Sequence, residues 1–486
     1  MTTSQEFREK RWQALVLLCS AQFVVVLDAS IVNVALPTID RALDFSPENL
    51  PWVVNAYVLT FGGFLLLGGR TADLLGRRRV FMAGLLLVAV ASLLAGFAAT
   101  EGQLIAARAA QGLGAAIISP AALSIVTTTF NDGAERNKAL GVWGAVAGSG
   151  GAAGVLLGGI LTDWLSWEWV LWVNVPVALI AFALSPRLIA ESRAEHETRA
   201  FDVAGAVTVT AALSILVFAI VDATNAGWGS TQTIGLIALS VALLAAFVAI
   251  ELRSAKPLMP FSIFRIRTLT GANVVGLLVG ASLFSMFFFI SLYMQQVLGY
   301  SAIQAGLSYL PLALTIMATA GIASQLVTKV GYKPVLAAGL LFIFVGLVWF
   351  SRVSVGGGFT TDILGPSLFA AAGLGFAFVT TTIAAVSGVE ESEAGLASGL
   401  INTSQQIGGA LGLAVLATVA TSRTNDLTAA GAPPSLDALA EGFQAAFLGG
   451  AAIAALGFVL TLVLISNRDS RAHVELGREE AATETA

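Results

Sequence analysis

The sequence has few of the residues on which enzymes and disulfide-bonded proteins depend. Its one cysteine, Cys19, cannot form an intramolecular disulfide. Its two histidines, His196 and His473, lie in hydrophilic segments, which argues against a histidine base or a histidine-bound metal within a membrane. No GxxxxGK run followed by serine or threonine occurs, so a P-loop ATPase is excluded. We therefore predict that the protein is not an enzyme and holds no cofactor and no metal.

Charge is also scarce, and long apolar segments take its place. Only 11% of the 486 residues are charged and 57% are hydrophobic, whereas a soluble domain carries about 25% charged residues. The sequence predicts an all-α polytopic membrane protein, because fourteen apolar segments of about 20 residues are long enough to cross a bilayer. Their predicted limits are 12–36, 51–69, 79–99, 102–125, 137–162, 168–186, 202–222, 232–250, 268–292, 302–328, 334–351, 362–389, 394–422 and 441–466.

Lysine and arginine residues concentrate in alternate connections between these segments, beginning with the N-terminal one. Positive charge marks the cytoplasmic side of membrane proteins. The pattern therefore predicts a multi-pass protein of the plasma membrane with both termini in the cytoplasm.

Two charges are embedded in apolar segments of the first half. Asp28 is the only charged residue between Trp12 and Leu36, and an ionised carboxylate at such a depth costs at least ~2.5 kcal/mol. We interpret it as a proton or cation site; the alternative is a structural acid bonded to a neighbouring helix. Arg108 could extend its side chain to the surface or pair with a buried acid or a substrate anion. We predict an internal role for it.

The connection after the second segment reads GGRTADLLGRRR. Gly69 and Gly76 permit tight backbone turns, Asp73 is predicted to end the helix, and Arg77 and Arg78 follow. An acid at a helix end beside a basic cluster can form a charge-assisted latch. The alternative is a simple basic anchor on the cytoplasmic side.

The fifth segment contains glycines at four-residue spacing, in the run GSGGAAGVLLGG. Gly150, Gly154 and Gly158 form a small-residue stripe that lets another helix approach closely. Together with Gly159 they are also predicted to act as a gate or hinge, because glycine makes a helix deformable.

These patterns together resemble the major facilitator superfamily, and within it the fourteen-span drug:proton antiporters of the EmrB/QacA type. LDASIVNVALP resembles the first-helix motif of that branch, GRTADLLGRRR the loop motif of the superfamily, and LIAARAAQGLGAA its fourth-helix motif. The resemblance extends over almost the whole chain. Two positions depart from it: Val155 stands where the GPxxGG antiporter motif has proline, and Glu168 stands between two tryptophans where arginine is usual.

The resemblance implies a major-facilitator fold with two six-helix bundles around a central cavity and two additional transmembrane helices. The implied divisions are 1–190 for the N-terminal bundle, 191–260 for the two inserted helices and 261–466 for the C-terminal bundle. The tail 467–486 is predicted to be cytoplasmic and, from its acidic, alanine-rich composition, disordered. Transport would proceed by alternating access. The run GIASQLVTKVGYKP repeats the loop motif in the second half, with Thr328 in the place of Asp73.

Polar and aromatic residues within the predicted bundles are the candidates for lining the substrate cavity. For any single one, helix–helix hydrogen bonding or core packing is at least as good an interpretation. The candidates are Asn33, Asn55, Tyr57, Asn273, Phe287, Tyr293, Tyr309 and Asn402.

The predicted function is proton-coupled export of lipophilic drugs, antibiotics or secondary metabolites, with Asp28 and Arg108 in the coupling site. The alternatives are a proton-coupled symporter for a small metabolite and a non-transporting membrane sensor or lipid-handling protein. The expected partners are a small lipophilic molecule, protons and the lipid bilayer. No nucleic acid is expected to bind, and the monomer is predicted to be functional.

Overall fold

The computed structural model describes residues 9–45, 49–130, 133–192, 202–254, 257–428, 434–472 and 474–475. His196 and His473 lie outside these ranges. Fourteen helices in the described part of the chain are long and apolar enough to cross a membrane, which confirms the predicted number and the all-α class. Helices α1 to α7 are Arg11–Leu43, Trp52–Leu75, Arg77–Gly96, Glu101–Thr129, Ala134–Trp164, Trp169–Leu188 and Val203–Ala226. Helices α8 to α14 are Thr231–Glu251, Arg267–Val297, Ile303–Val330, Tyr332–Phe350, Phe359–Val386, Glu391–Asp426 and Leu436–Leu464.

Most helix ends differ from the predicted limits by a few residues, and two of these differences affect helices that carry candidate functional residues. Helix α1 was expected to stop before Pro37, but it continues through this proline to Leu43, as membrane helices can when neighbouring groups satisfy the freed carbonyl. Helix α2 does not end at Asp73 but at Leu75, where Gly76 takes a φ of 107°. Asp73 therefore lies in the last turn of α2, with its carboxylate free to contact another helix.

The helices pack mainly within two sets along the chain. In the first set α1 packs on α5, α2 and α3 pack on α4, and α6 packs on α3. In the second set α9 packs on α13 and α14, and α12 packs on α10 and α11. Helix α7 packs on α2 and α13, and α8 packs on α7. The two sets meet mainly along two seams, α2 with α13 and α5 with α10.

One end of the molecule, here termed the basic end, carries Arg70, Arg77, Arg78 and Arg79. At this end, the segment that follows α6 and the segment that follows α14 each accept a hydrogen bond from the start of another helix of the same set. The backbone N–H of Arg78 in α3 donates to Glu191 Oε1 over 3.1 Å. The backbone N–H of Lys333 in α11 donates to Ser470 Oγ over 3.2 Å. These side chains satisfy N–H groups that a helix start leaves without an intrahelical partner.

The C-terminal tail, for which the composition predicts disorder from residue 467 onward, begins with a helical segment. Residues 467–472 and 474–475 are helical. Ser470 and Val474 are both buried. Contacts with the basic end therefore hold this segment in place. Residues 476–486 lie outside the described part of the chain.

Candidate functional site

Asp28 and Arg108 form a buried ion pair between α1 and α4. Arg108 Nη1 lies 2.7 Å from Asp28 Oδ2, and the two side chains are 0% and 2% exposed, respectively. Arg108 therefore does not extend to the surface. A pair held this deeply must be supported by further hydrogen bonds, because removing two charges from water costs several kcal/mol per ion.

Uncharged neighbours supply that support. Asp28 Oδ1 accepts hydrogen bonds from Asn174 Nδ2 of α6 at 2.6 Å and from Gln111 Nε2 of α4 at 3.2 Å. The Arg108 Nε donates to the carbonyl of Val53 at 2.9 Å, and Nη1 also donates to Gln111 Oε1 at 3.0 Å. The site thus joins α1, α2, α4 and α6 through one carboxylate and one guanidinium.

Tyr57 completes the enclosure of the guanidinium. Its ring lies 4.5 Å from Arg108 Cζ, in a cation–π contact, and its hydroxyl donates to the carbonyl of Val25 at 2.9 Å. Protonation of Asp28 would leave Arg108 as an uncompensated buried charge. Protonation of Asp28 would therefore change the electrostatic field that acts on α1, α2, α4 and α6.

A second buried charge cluster closes the seam between α2 and α13 at the basic end. Asp73 is 0% exposed, and its two carboxylate oxygens accept from the backbone N–H groups of Gly395 and Leu396, each at 3.0 Å. These N–H groups belong to the start of α13, where the helix dipole favours negative charge. The contact is thus a charge-assisted hydrogen bond between the two sets of helices.

Arg77 holds the Asp73 carboxylate from the other side. Its Nη2 lies 2.9 Å from Asp73 Oδ1, with Arg77 only 1% exposed, and it also donates to the carbonyl of Glu391. The backbone N–H of Arg77 donates to the carbonyl of Ser192 at 2.9 Å. Asp73, Arg77 and the first residues of α13 are termed the ionic latch below.

Gly69 permits the close approach on which the ionic latch depends. A Cβ built on Gly69 would overlap the carbonyl oxygen of Gly395 and lie 3.3 Å from the Cα of Gly399. The backbones of α2 and α13 are therefore in direct contact at this crossing, which only a residue without a side chain allows.

The glycines of α5 face two different neighbours. Gly150, Gly154 and Gly158 lie against α1, and a Cβ on Gly158 would be 2.7 Å from the carbonyl oxygen of Ile31. Gly159 instead faces Ile303 of α10. Close packing of α5 on α1 therefore places this stripe beside the helix that carries Asp28.

We expect Gly158→Ala to destabilise the protein by about 1–3 kcal/mol, because the added methyl group meets main-chain atoms of α1 that cannot rotate away. Gly151→Ala is the matched control: it lies on the same helix, and its Cβ would meet no atom within 4 Å. The control should be neutral or slightly stabilising, since alanine favours a helix over glycine. Thermal unfolding of both variants in detergent measures the difference; equal stability would contradict the packing argument.

Comparison with known proteins decides the family. The family model described as Major Facilitator Superfamily matches residues 18–413. The chain belongs to the major facilitator superfamily. As a member of this superfamily it is a multi-pass membrane transporter for small molecules and not an enzyme.

Several superfamily members with known roles are similar to this chain over most of their length. The cephamycin export protein CmcT of Amycolatopsis lactamdurans is 42% identical over 454 residues, which cover 93% of this chain and 92% of that protein. The puromycin resistance protein pur8 of Streptomyces alboniger is 38% identical, with 95% and 93% coverage. The tetracenomycin C resistance and export protein of Streptomyces glaucescens is 33% identical, with 88% and 79% coverage.

Solved structures of two transporters at lower sequence identity show the same fold. The human organic anion transporter MFSD10 superposes with a TM-score of 0.66 at 16% identity, covering 93% of this chain and 99% of that chain. The proton:xylose symporter XylE superposes with a TM-score of 0.66 at 12% identity, covering 94% and 96%.

Three of the cavity candidates in this superfamily member have hydroxyls that bond within the protein. Tyr57 supports Arg108 as described. The Tyr293 hydroxyl oxygen lies 2.8 Å from the carbonyl oxygen of Ser354 and 3.0 Å from Asp362 Oδ2, and its single hydrogen is shared between these two acceptors. Tyr309 donates to the carbonyl of Phe287 at 2.6 Å, and its ring stacks on that of Phe287 at 5.3 Å.

The asparagine candidates lie at different places. Asn273 of α9 accepts from Ser404 of α13 at 2.9 Å, and Asn402 of α13 accepts from Ser119 of α4 at 3.2 Å. Asn33 is exposed on α1 and Asn55 is half-buried on α2. Among the eight candidates, Phe287 and Tyr309 contact each other directly, and the role of all eight in lining a cavity stays a prediction.

Proposed function

We propose that this transporter exports lipophilic drugs, antibiotics or secondary metabolites in exchange for protons, by alternating access between two six-helix bundles. The buried pair of Asp28 and Arg108 carries this proposal. The similarity to export and resistance proteins for cephamycin, puromycin and tetracenomycin C supports the substrate class and the direction of transport.

The proposed proton site is Asp28. Three side chains, those of Arg108, Gln111 and Asn174, hold the ionised carboxylate in place. A proton on Asp28 would weaken the bond to Arg108 and release the constraint between α1 and α4. Loss of that proton would restore it. Proton uptake and release would thereby be linked to the shape of the bundle formed by residues 1–190.

The pairing of Asp28 with Arg108 also affects which substrate charge the site would favour. The sequence indicates a proton or cation site at Asp28, but the charge of Asp28 is already balanced by Arg108 at 2.7 Å. A bare positive charge on the substrate would gain little from a neutral pair. We therefore favour neutral or weakly charged lipophilic compounds over strongly cationic ones.

The proposed alternating access uses the ionic latch. Contacts between the proposed bundles include Asp73 with the start of α13 at the basic end and, about two turns further along α13, Asn402 with Ser119. A state with these contacts is closed at the basic end. The positive-inside rule assigns that end to the cytoplasm, so opening toward the cytoplasm would require the ionic latch to break.

Export can be tested with cells that lack or express the protein, in a susceptibility panel of lipophilic antibiotics followed by efflux assays. Expression should raise resistance and lower accumulation of at least one compound, and a protonophore should abolish the difference. Accumulation above the empty-cell level would instead identify an importer coupled to protons. No proton-linked flux with any compound in proteoliposomes would favour a non-transporting protein.

A further inference from the structure

The two seams between the helix sets are related by the internal repeat of the sequence. Gly76 and Gly331 occupy equivalent places at the α2–α3 and α10–α11 junctions, with φ of 107° and 85°. Three residues before each glycine stand Asp73 and Thr328. Since Asp73 contacts the start of α13, the repeat places Thr328 against the start of α5.

At the second seam, a hydrogen bond joins a side chain of α5 to a side chain of α10. Asn137 Nδ2 donates to Thr328 Oγ1 at 3.0 Å, and Asn137 is 1% exposed. The Thr328 hydroxyl in turn donates to the carbonyl of Ser324 at 3.0 Å. Thr328 Oγ1 therefore acts as acceptor toward α5 and as donor within α10, which uses its one hydrogen and one of its two lone pairs.

The helices approach closely at this point, as they do at the ionic latch. A Cβ on Gly141 of α5 would lie 2.6 Å from the Cβ of Ser324 on α10. Ser324 is the repeat equivalent of Gly69, whose backbone touches α13. Both seams thus combine a glycine contact with a polar bond about one turn closer to the basic end.

We propose that Asn137 and Thr328 form a second latch, which is uncharged and closes the α5–α10 seam at the basic end. The proposal rests on the proposed function, because a latch has meaning only if the bundles alternate between two states. Asn137 belongs to the proposed N-terminal bundle and Thr328 to the C-terminal one. Their bond must therefore break when the basic end opens.

The two latches differ in chemistry, and this sets their relative strength. The ionic latch uses a carboxylate with two main-chain donors and an arginine, whereas the second latch uses one neutral side-chain bond. A hydrogen bond between uncharged side chains of two membrane helices shifts a conformational equilibrium about three-fold on average and about twenty-fold at most. Asn137 and Thr328 are thus positioning residues that adjust the balance of states, while Asp73 sets its main bias.

The test is a distance measurement on the opposite seam, so that local distortion near Thr328 does not contribute. Spin labels replace the exposed residues Leu75 and Glu390 in a Cys19→Ser background, and pulsed electron resonance gives the populations of short and long distances. Thr328→Val should raise the ratio of long to short distances about three- to twenty-fold. Thr328→Ser, which keeps the hydroxyl, should stay near the parent protein.

Two further variants make the result specific to the bond. Asn137→Leu should shift the ratio in the same direction, and the double variant should shift it by less than the product of the single effects. Thr315→Val is the matched control, because this hydroxyl on α10 donates to the carbonyl of Pro311 in its own helix. An unchanged ratio in Thr328→Val, or independent effects of the two substitutions, would overturn the second latch.

Asp73→Asn separates failure of the latch from failure of the proposed function. The distances require neither substrate nor protons. If Asp73→Asn lengthens them and Thr328→Val does not, the second latch is wrong and alternating access stands. If neither variant changes them, both the second latch and the two-state mechanism are wrong.

Discussion

Replacing Asp28 with asparagine is expected to reduce proton-driven export to the level of empty vesicles. Asparagine resembles a permanently protonated Asp28: it keeps an acceptor oxygen for Arg108 but carries no charge and binds no proton. Arg108, at 0% exposure, then lacks its counter-ion. Removing one partner of a buried ion pair costs about 3–5 kcal/mol, so the variant should be less stable as well as uncoupled.

The measurement is substrate flux in proteoliposomes under an imposed pH gradient. Asp40→Asn is the matched control, since Asp40 lies on the same helix toward its far end. It should transport normally. Export by Asp28→Asn that still follows the pH gradient would remove Asp28 from the coupling role.

A double variant distinguishes lost coupling from lost folding. Replacing both partners of a buried ion pair is far less destabilising than replacing one. We therefore expect Asp28→Asn with Arg108→Gln to regain most of the thermal stability and none of the coupling. Restored coupling in the double variant would show that the defect of Asp28→Asn was structural.

The number of spans and the two embedded charges could be predicted because both depend on contrast with an apolar background. A carboxylate or guanidinium stands out in a hydrophobic run, as Asp28 and Arg108 do. The ends of α1 and α2 could not be predicted as well: proline commonly ends or kinks a helix in water, and the residue that ends α2 is Gly76, at a φ of 107°, rather than Asp73.

The partners of the charges could not be predicted from the sequence. Gln111 lies three residues after Arg108 and Asn174 lies in WVLWVNVP, but neutral polar residues occur in many spans and give no comparable signal. Asn137 is a similar case: its importance depends on the register of α5 against α10, which is set by tertiary packing. Only the repeat that places Thr328 at the position of Asp73 pointed toward this seam.

Asp73→Asn is expected to lower the turnover of transport at least ten-fold while changing substrate affinity by no more than a few-fold. An amide offers one acceptor oxygen where the carboxylate offers two, so its NH2 group must face the N–H of either Gly395 or Leu396. Arg77 is 1% exposed and would lose its buried counter-ion in the same change, keeping only a 3.9 Å contact with the exposed Glu391. Together these effects should destabilise the state closed at the basic end by about 3–5 kcal/mol.

The ionic latch lies at the α2–α13 crossing and not at the Asp28 site, which is why rate and affinity should separate. Substrate binding at equilibrium and export at saturating substrate would be measured on the same preparation. Glu390→Gln is the control, because this exposed acid precedes α13 at the basic end and should have little effect. Weakened binding with normal turnover would contradict the latch, since a group that stabilises only one conformational state changes how often that state forms.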